Sequence, residues 1–299
     1  MSVAAFPVKK EYENVPGLKR DVQKIREWLT TQSHLPHMYI TDLDIIFAYN
    51  YCDGDIESTK RVIDLNYTLR TLLSFYSNRN VDNSVERALN TWLITPLIKP
   101  TLKGYRAIYC YLLDPDIKNF VYKDAVRTFV MLMDLWQYEE GTLPEIAVIV
   151  DMDRVTLSHI SAIDVAVAQQ FFYYLQEAMF IRLKEFHFIN APKFVDKMLS
   201  MVKPVLTEKM LDRLKVHAVG SDTLEQHMPR SALPREGGGE YKDVKTLRDE
   251  IWNKLKANTQ FFQEESLKRV NESKRPTGPH TISTFFPSID GSFKNLTID

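Results

Sequence analysis

Residues 146–155 read Ile-Ala-Val-Ile-Val-Asp-Met-Asp-Arg-Val and set two carboxylates, Asp151 and Asp153, directly after an apolar run. At a strand end such a pair can divide labour around Mg²⁺, one carboxylate attacking a phosphoryl group and the other acting as general acid. That chemistry also needs a lysine and a second acidic pair further on. Lysines are plentiful, but no Asp-Asp or Gly-Asp-x-x-x-Asp follows a later strand. The alternative use of the motif is a structural turn. Other catalytic patterns are absent: there is no Gly-x-Ser-x-Gly, no Walker loop and no His-Glu-x-x-His. His187 sits in an apolar stretch and reads as a hydrogen-bonded core residue. Cys52 and Cys110 lie far apart with no neighbouring Cys or His, so neither marks a metal site. The expectation is a non-enzyme with no metal and no cofactor.

A second set of residues suits anion binding. Arg182 and Lys184 precede the apolar stretch 186–189. Lys209 and Arg213 stand four apart, which on a helix is one face. A guanidinium grips phosphate oxygens in pairs and an ammonium supplies a point charge. Glu208 and Asp212 lie among these cations, so a solvated charged face is the competing reading.

The stretch that must position these groups runs from 182 to 215. A strand at 186–189 leads through Asn190-Ala191-Pro192 into a helix, with Pro192 in its first turn. On a helical wheel Phe194, Val195, Met198, Leu199, Met201 and Val202 share one arc, and Lys193, Asp196, Lys197, Ser200 and Lys203 the other. Pro204 breaks the run. Thr207 can cap a second short helix, with Leu206 and Leu211 at the spacing of a hydrophobic staple.

Around this stretch the chain divides into three. Residues 1–85 are helical in pattern, with stripes at 18–31 and 55–73 and a cap at Thr41. Residues 86–240 alternate strands (92–98, 105–113, 146–150, 186–189, 216–219) with helices (121–138, 161–181), which predicts an α/β layer with a mostly parallel sheet. The unalternating run Ile146–Val150 suits a strand buried on both faces. Residues 241–299 carry a helix at 244–272 and a tail rich in Pro, Gly and Ser.

Composition narrows the function. Hydrophobic residues are 44% of 299, ordinary for a globular chain, and the formal net charge of −1 argues against coating nucleic acid. Two cysteines suit a reducing compartment. The start lacks a signal-peptide core and no apolar run approaches the roughly 18–20 residues that span a bilayer. The sequence therefore reads as a cytoplasmic protein that touches membranes peripherally, and its sequons at Asn66, Asn271 and Asn295 as unused.

The stretch 182–215 resembles the lid segment of the CRAL-TRIO lipid-binding family, in its tocopherol-transfer branch. The matching residues are His187-Phe188-Ile189-Asn190, Pro192 and the ungapped run Met201-Val202-Lys203-Pro204-Val205-Leu206-Thr207-Glu208-Lys209. His34-Leu35-Pro36, Thr68-Leu69-Arg70-Thr71 and Leu233-Pro234-Arg235-Glu236-Gly237-Gly238-Gly239 extend it over about 18–241. The resemblance implies a small helical domain before an α/β domain that encloses a hydrophobic pocket under a mobile helical lid. It implies a pocket walled by Val126, Phe129, Val130 and Met133, by Ile146, Val148 and Val150, and by the lid residues Phe194, Val195, Met198, Leu199, Met201 and Val202. It implies that Arg182, Lys184, Lys209 and Arg213 hold a phosphoinositide headgroup. The partners implied are one small lipid of tocopherol or retinoid type and a phosphoinositide-containing membrane, met by a monomer. The sequence departs from the family at Cys52, where a fifth basic contact stands, at Arg154, where a Gly is usual, and at Gly237, where an aromatic is usual. Alternatives are a fungal-type phosphatidylinositol/phosphatidylcholine exchanger, in which a basic residue replaces Glu236, a signalling adaptor, and a haloacid-dehalogenase-like phosphatase built on Asp151.

Overall fold

The computed structural model describes residues 2–287. Four helices open the chain: α1 Val8–Asn14, α2 Leu18–Thr31, α3 Asp42–Tyr51 and α4 Ile56–Leu72. Local chemistry sets their ends. Thr41 caps α3 by a reciprocal exchange: its hydroxyl accepts from the Asp44 N–H and its own N–H donates to the Asp44 carboxylate. Gly54, at φ 84°, turns the chain away and Asp55 caps α4. Leu18, Val22, Ile25 and Leu29 form the buried stripe of α2 and meet Ile45, Ile46 and Ile63 in a core of their own.

A polar connection leads to α5 Asn83–Thr91, capped by Asp82. The chain continues through β1 Trp92–Pro96, β2 Arg106–Leu112, α6 Tyr122–Glu140, β3 Ile146–Asp151, α7 Leu157–Ser161, α8 Val165–Glu177, β4 Leu183–Ala191, α9 Val195–Val202, α10 Glu208–Leu211 and β5 Leu214–Ala218. The strands form one sheet in chain order, with β1 antiparallel to β2 and every other pair parallel. Parallel strands added in one direction through right-handed crossovers place their helices on one face. The two faces accordingly bury alternate residues. Ile108, Val148, Phe186 and Phe188 meet α6 and α8. Tyr109, Ala147, Ile149 and Ile189 face Leu224, Met228 and Leu233, and then α11 Val244–Ala257. The chain ends, as described, in α12 Thr259–Ser266 and α13 Ile282–Phe285. No described helix is long and apolar enough to cross a membrane.

Several boundaries differ from the sequence reading. The span 161–181 is not one helix, because Asp164 caps a new one by accepting from the Val167 N–H. The span 244–272 breaks at Asn258, whose amide is taken up with the Val3 N–H and the Lys254 carbonyl. β4 starts at Leu183, which pairs with Ile146, so Lys184 lies inside the strand rather than before it. At its other end β4 runs on to Ala191 past left-handed Asn190 (φ 49°), so α9 begins at Val195 and Pro192 falls in the turn before it.

Ionic contacts tie the first helices to the rest. Arg70 on α4 donates to Asp134 on α6 at 2.6 Å and to Glu265 on α12 at 2.9 Å. Arg275 grips Asp64 on α4 with both guanidinium nitrogens, at 2.9 and 3.0 Å. Burial alone would raise the Asp64 carboxyl, but Arg275 and His34 beside it hold it below its ordinary range. Asn66 is fully buried and donates to Tyr174 and to the Ala178 carbonyl, which removes that sequon from the surface. Asn295 lies outside the described residues.

Candidate functional site

Between the C-terminal ends of the strands and helices α6, α8 and α9 lies a cavity of about 140 Å³. Its walls are Val148 and Val150 from β3, Phe186 and Phe188 from β4, Val126 and Phe129 from α6, and Phe171 and Phe172 from α8. Met198, Leu199, Met201 and Val202 of α9 form the roof. The lining is nearly all apolar. Cys110 is part of it, and burial pushes its thiol up to about 12, so it is a small neutral wall residue. His159 also reaches the lining, and its Nδ1 accepts from the Thr156 N–H at 3.1 Å.

The cavity sits at the strand ends, where α/β sheets commonly hold ligands, and this decides which expected residues reach it. Val130, Met133 and Ile146 do not. They share the correct helix and strand but lie deeper, fully buried in the core beyond the cavity. Phe194 and Val195 start the α9 segment and pack on the same core without lining the space. The aromatic pair Phe171-Phe172 on α8 was not singled out from the sequence, although two adjacent aromatics in an apolar helix are a usable sign of a bulky wall.

α9 turns its apolar arc inward and leaves Lys193 and Lys197 exposed. It hangs between two irregular points, left-handed Asn190 and the 3₁₀ turn at Lys203–Val205. Two glutamines of α8 hold its outgoing end. Gln169 donates to the Met201 carbonyl at 3.1 Å. Gln176 donates to the Val205 carbonyl and accepts from the Thr207 N–H and hydroxyl, each at 3.1 Å.

Asp151 is fully buried and accepts three hydrogen bonds: from Tyr109 at 2.6 Å, from the Asn190 amide at 2.8 Å and from the Asp153 N–H at 3.0 Å. Burial still pushes its carboxyl above the ordinary value. A carboxylate so enclosed ties β2, β3 and the Asn190 turn together. Arg154 occupies the left-handed region at φ 66°, which explains why glycine suits that turn. Its guanidinium donates to the Leu113 carbonyl at 2.6 Å. In the closing glycine run, a Cβ at Gly239 would lie 2.0 Å from the Leu233 carbonyl oxygen, and one at Gly237 would lie 2.8 Å from the Tyr109 hydroxyl. Glu236 accepts from the Val244 N–H at 3.0 Å, at the start of α11.

The basic residues are less uniform than their spacing implied. Arg182 pairs with Asp53 and donates to the Asn50 carbonyl at 2.9 Å, against the turn that carries Cys52. Burial pushes the Cys52 thiol up to about 11. Lys184 stands 3.9 Å from Glu145. Lys209 is exposed on α10. Arg213 is not on that helix, which ends at Leu211. Its carbonyl accepts from the Phe186 N–H at 2.9 Å, and this draws the residue toward the sheet. Burial lowers the Arg213 pKa, with the Tyr51 hydroxyl opposing it.

The chain is similar to known proteins over most of its described length. The family described as CRAL/TRIO domain matches residues 93–239, and the one described as Pinta-like, UBA domain matches residues 14–85. Alpha-tocopherol transfer protein-like of Homo sapiens is 26% identical over 245 residues, 78% of this chain and 68% of that protein. Clavesin-1 of Xenopus laevis is 21% identical over 230 residues, 76% of this chain and 69% of that one. The crystal structure of Sfh5 superposes with a TM-score of 0.46 at 14% identity, covering 68% of this chain and 77% of the other.

Proposed function

Residues 93–239 belong to the CRAL/TRIO family of lipid-binding domains, and on that premise we propose that the chain carries one small hydrophobic molecule, of tocopherol or retinoid type, and exchanges it at phosphoinositide-containing membranes. No bond is made or broken. The observation that carries the reading is the roof: an amphipathic helix closes an apolar cavity and is bracketed by two irregular joints.

The cavity dimensions support a moving roof. An engineered apolar cavity of about 150 Å³ stays dry and admits benzene, so about 140 Å³ suits a small aromatic. A prenol-tailed lipid needs more, and α9 is the wall that can yield. In water, exposing a fully buried side chain of this kind costs about 1.5–3 kcal/mol. Val202 is buried and Met198, Leu199 and Met201 are partly enclosed, so the sum over the arc is a few kcal/mol, enough to keep the helix down. At a membrane the arc enters the headgroup–acyl boundary and most of that cost disappears. Lys193, Lys197 and Lys203 then face anionic headgroups.

For the phosphoinositide, Arg182 and Lys184 already have carboxylate partners in Asp53 and Glu145. Such partly exposed pairs are weak and give way to a phosphate. Lys209 and Arg213 complete the basic edge beside α9.

One substitution tests the carrier. Met198→Asp puts a charge on the roof arc. The protein is expected to melt cooperatively near the unaltered temperature, yet to carry none of the lipid that mass spectrometry finds on the unaltered protein. Unfolding of the variant would make α9 ordinary core, and normal lipid loading would mean that α9 does not cover the cargo.

A further inference from the structure

The sheet face turned away from the cavity holds a cluster of side chains for which lipid carriage has no use. Along β4, Phe186 and Phe188 wall the cavity, so Glu185 and His187 point to the opposite side. His217 on β5 stacks on His187 at a centroid distance of 5.2 Å. His227, just after the 3₁₀ turn Thr223–Gln226, meets His187 edge-on at 4.8 Å. Glu185 is 3% exposed, His187 1% and His217 5%, so a carboxylate and two imidazoles are buried, and the half-buried His227 closes the cluster toward solvent.

The distances fit metal ligation. One ligand atom each from Glu185, His187 and His227 lies within 4.8 Å of the others. His187 Nε2 stands 3.2 Å from Glu185 Oε2, and His227 Nδ1 stands 3.3 Å from Glu185 Oε1. An ion with bonds of about 2.0–2.2 Å in tetrahedral array spaces its ligand atoms roughly 3.4 Å apart. His227 Nδ1 is buried and, among the described residues, makes no hydrogen bond, since its approach to Glu185 is misaligned. A hydrogen-bonded core cluster accounts for His187 and His217 but leaves this nitrogen without a partner. We infer that Glu185, His187 and His227 form a binding site for a divalent transition ion of the zinc class, supported from behind by His217 and Thr223.

The support is a relay with two consistent settings. His187 Nδ1 lies 2.9 Å from His217 Nε2, and His217 Nδ1 lies 2.7 Å from the Thr223 hydroxyl. Without an ion, Thr223 donates to His217, His217 Nε2–H donates to His187, and His187 Nε2–H donates to Glu185. With an ion on His187 Nε2, each ring carries its proton on the other nitrogen. His187 Nδ1–H then donates to His217, and His217 Nδ1–H donates to Thr223. Thr223 turns its hydroxyl to Ser221 Oγ, 2.8 Å away. Both rings hold one proton in each setting, so binding shifts the relay without adding charge to it. A ligating imidazole whose other nitrogen donates to a fixed acceptor is the usual support of a metal site.

One group competes. Lys103 Nζ lies 2.8 Å from Glu185 Oε1 and neutralises the carboxylate. Its side chain is 56% exposed, so it can swing into water when an ion arrives. This gives the inference a sign that a merely structural cluster lacks: removing Lys103 should strengthen metal binding.

The test uses the tag-free full chain, stripped by a chelator and titrated with Zn²⁺ against a chromophoric competitor, with Co²⁺ as a spectroscopic probe. One ion per chain at micromolar affinity or tighter is expected, with visible Co²⁺ bands of low coordination number. His227→Gln should weaken binding on the order of 100-fold, and His217→Asn about 10–100-fold at unchanged stoichiometry. Lys103→Ala should bind more tightly than the unaltered chain. Lys103 and His227 lie outside the strands, so their variants still report on the site if Glu185→Gln does not fold. Sub-stoichiometric or millimolar binding in both the unaltered chain and Lys103→Ala would overturn the site, as would an affinity indifferent to His227→Gln.

Discussion

Gln176→Leu keeps the volume at the end of α8 and removes the Gln176 part of the clasp on the outgoing end of α9, leaving the Gln169 bond to Met201 in place. Three hydrogen bonds are lost: one donated to the Val205 carbonyl and two accepted from Thr207. At about 0.5–1.5 kcal/mol net each, the sum is about 1.5–4.5 kcal/mol. Thr207 is exposed and turns to water instead, which trims the loss to about 1–3 kcal/mol. If the loss falls on closure alone, the open population rises about 5- to 150-fold. Hydrogen exchange over residues 195–211 reads that rise directly as lost amide protection. Transfer of a fluorescent lipid between vesicles should quicken by a comparable factor, up to the point where membrane encounter limits the rate. The global melting temperature should move little, because the rest of the core is untouched. If protection at 195–211 keeps pace with the sheet, and global stability drops by the full amount instead, α9 is welded to the core and the reasoning is wrong.

Two further outcomes are expected. Lys209→Glu with Arg213→Glu removes contacts worth about 1.5–3 kcal/mol each when charge-assisted, so binding to phosphoinositide vesicles should weaken more than tenfold while binding to neutral vesicles is unaltered; equal phosphoinositide binding at physiological salt would sink the site. Asp64→Asn tests the Arg275 clasp. The folded carboxyl lies below its ordinary value, so its stabilisation is present above about pH 4, the unfolded value, and is lost as pH falls through the folded one. Denaturant unfolding from pH 7 to pH 3 should therefore be flatter in the variant, and parallel curves would mean that the clasp adds nothing.

Much of this architecture was legible because it is periodic. The stripes of α2 and α4, the caps at Thr41 and Asp55, the unbroken apolar run of β3 and the amphipathic roof are all local patterns, and the structure keeps them. The pocket was legible by element but not by depth. Val126 and Met133 share a helix, and Val148 and Ile146 share a strand face. Only the point where the strands stop under α8 and α9 decides which of each reaches the cavity, and that is a tertiary fact. Arg213 was misplaced for a related reason: the four-residue spacing from Lys209 means a shared face only while the helix lasts, and β5 begins too soon. The gathering of Glu185, His187, His217 and His227 has no short-range signature. Parallel strand pairing and the return of the 3₁₀ turn bring together residues that the chain keeps up to forty-two positions apart.

The Tyr109 hydroxyl stands 2.8 Å from the place where residue 237 would carry a Cβ. Positions 109 and 237 thus share a single volume, although they are far apart in the chain. An aromatic placed at Gly237 meets a ring already held by Asp151. Shrinking Tyr109 alone opens a ring-sized hole and strips Asp151 of a donor. Each single change is uphill, and the cost of either depends on the residue at the other position. The closing glycine run and the second strand are therefore a single packing decision, and what position 237 tolerates is set from position 109.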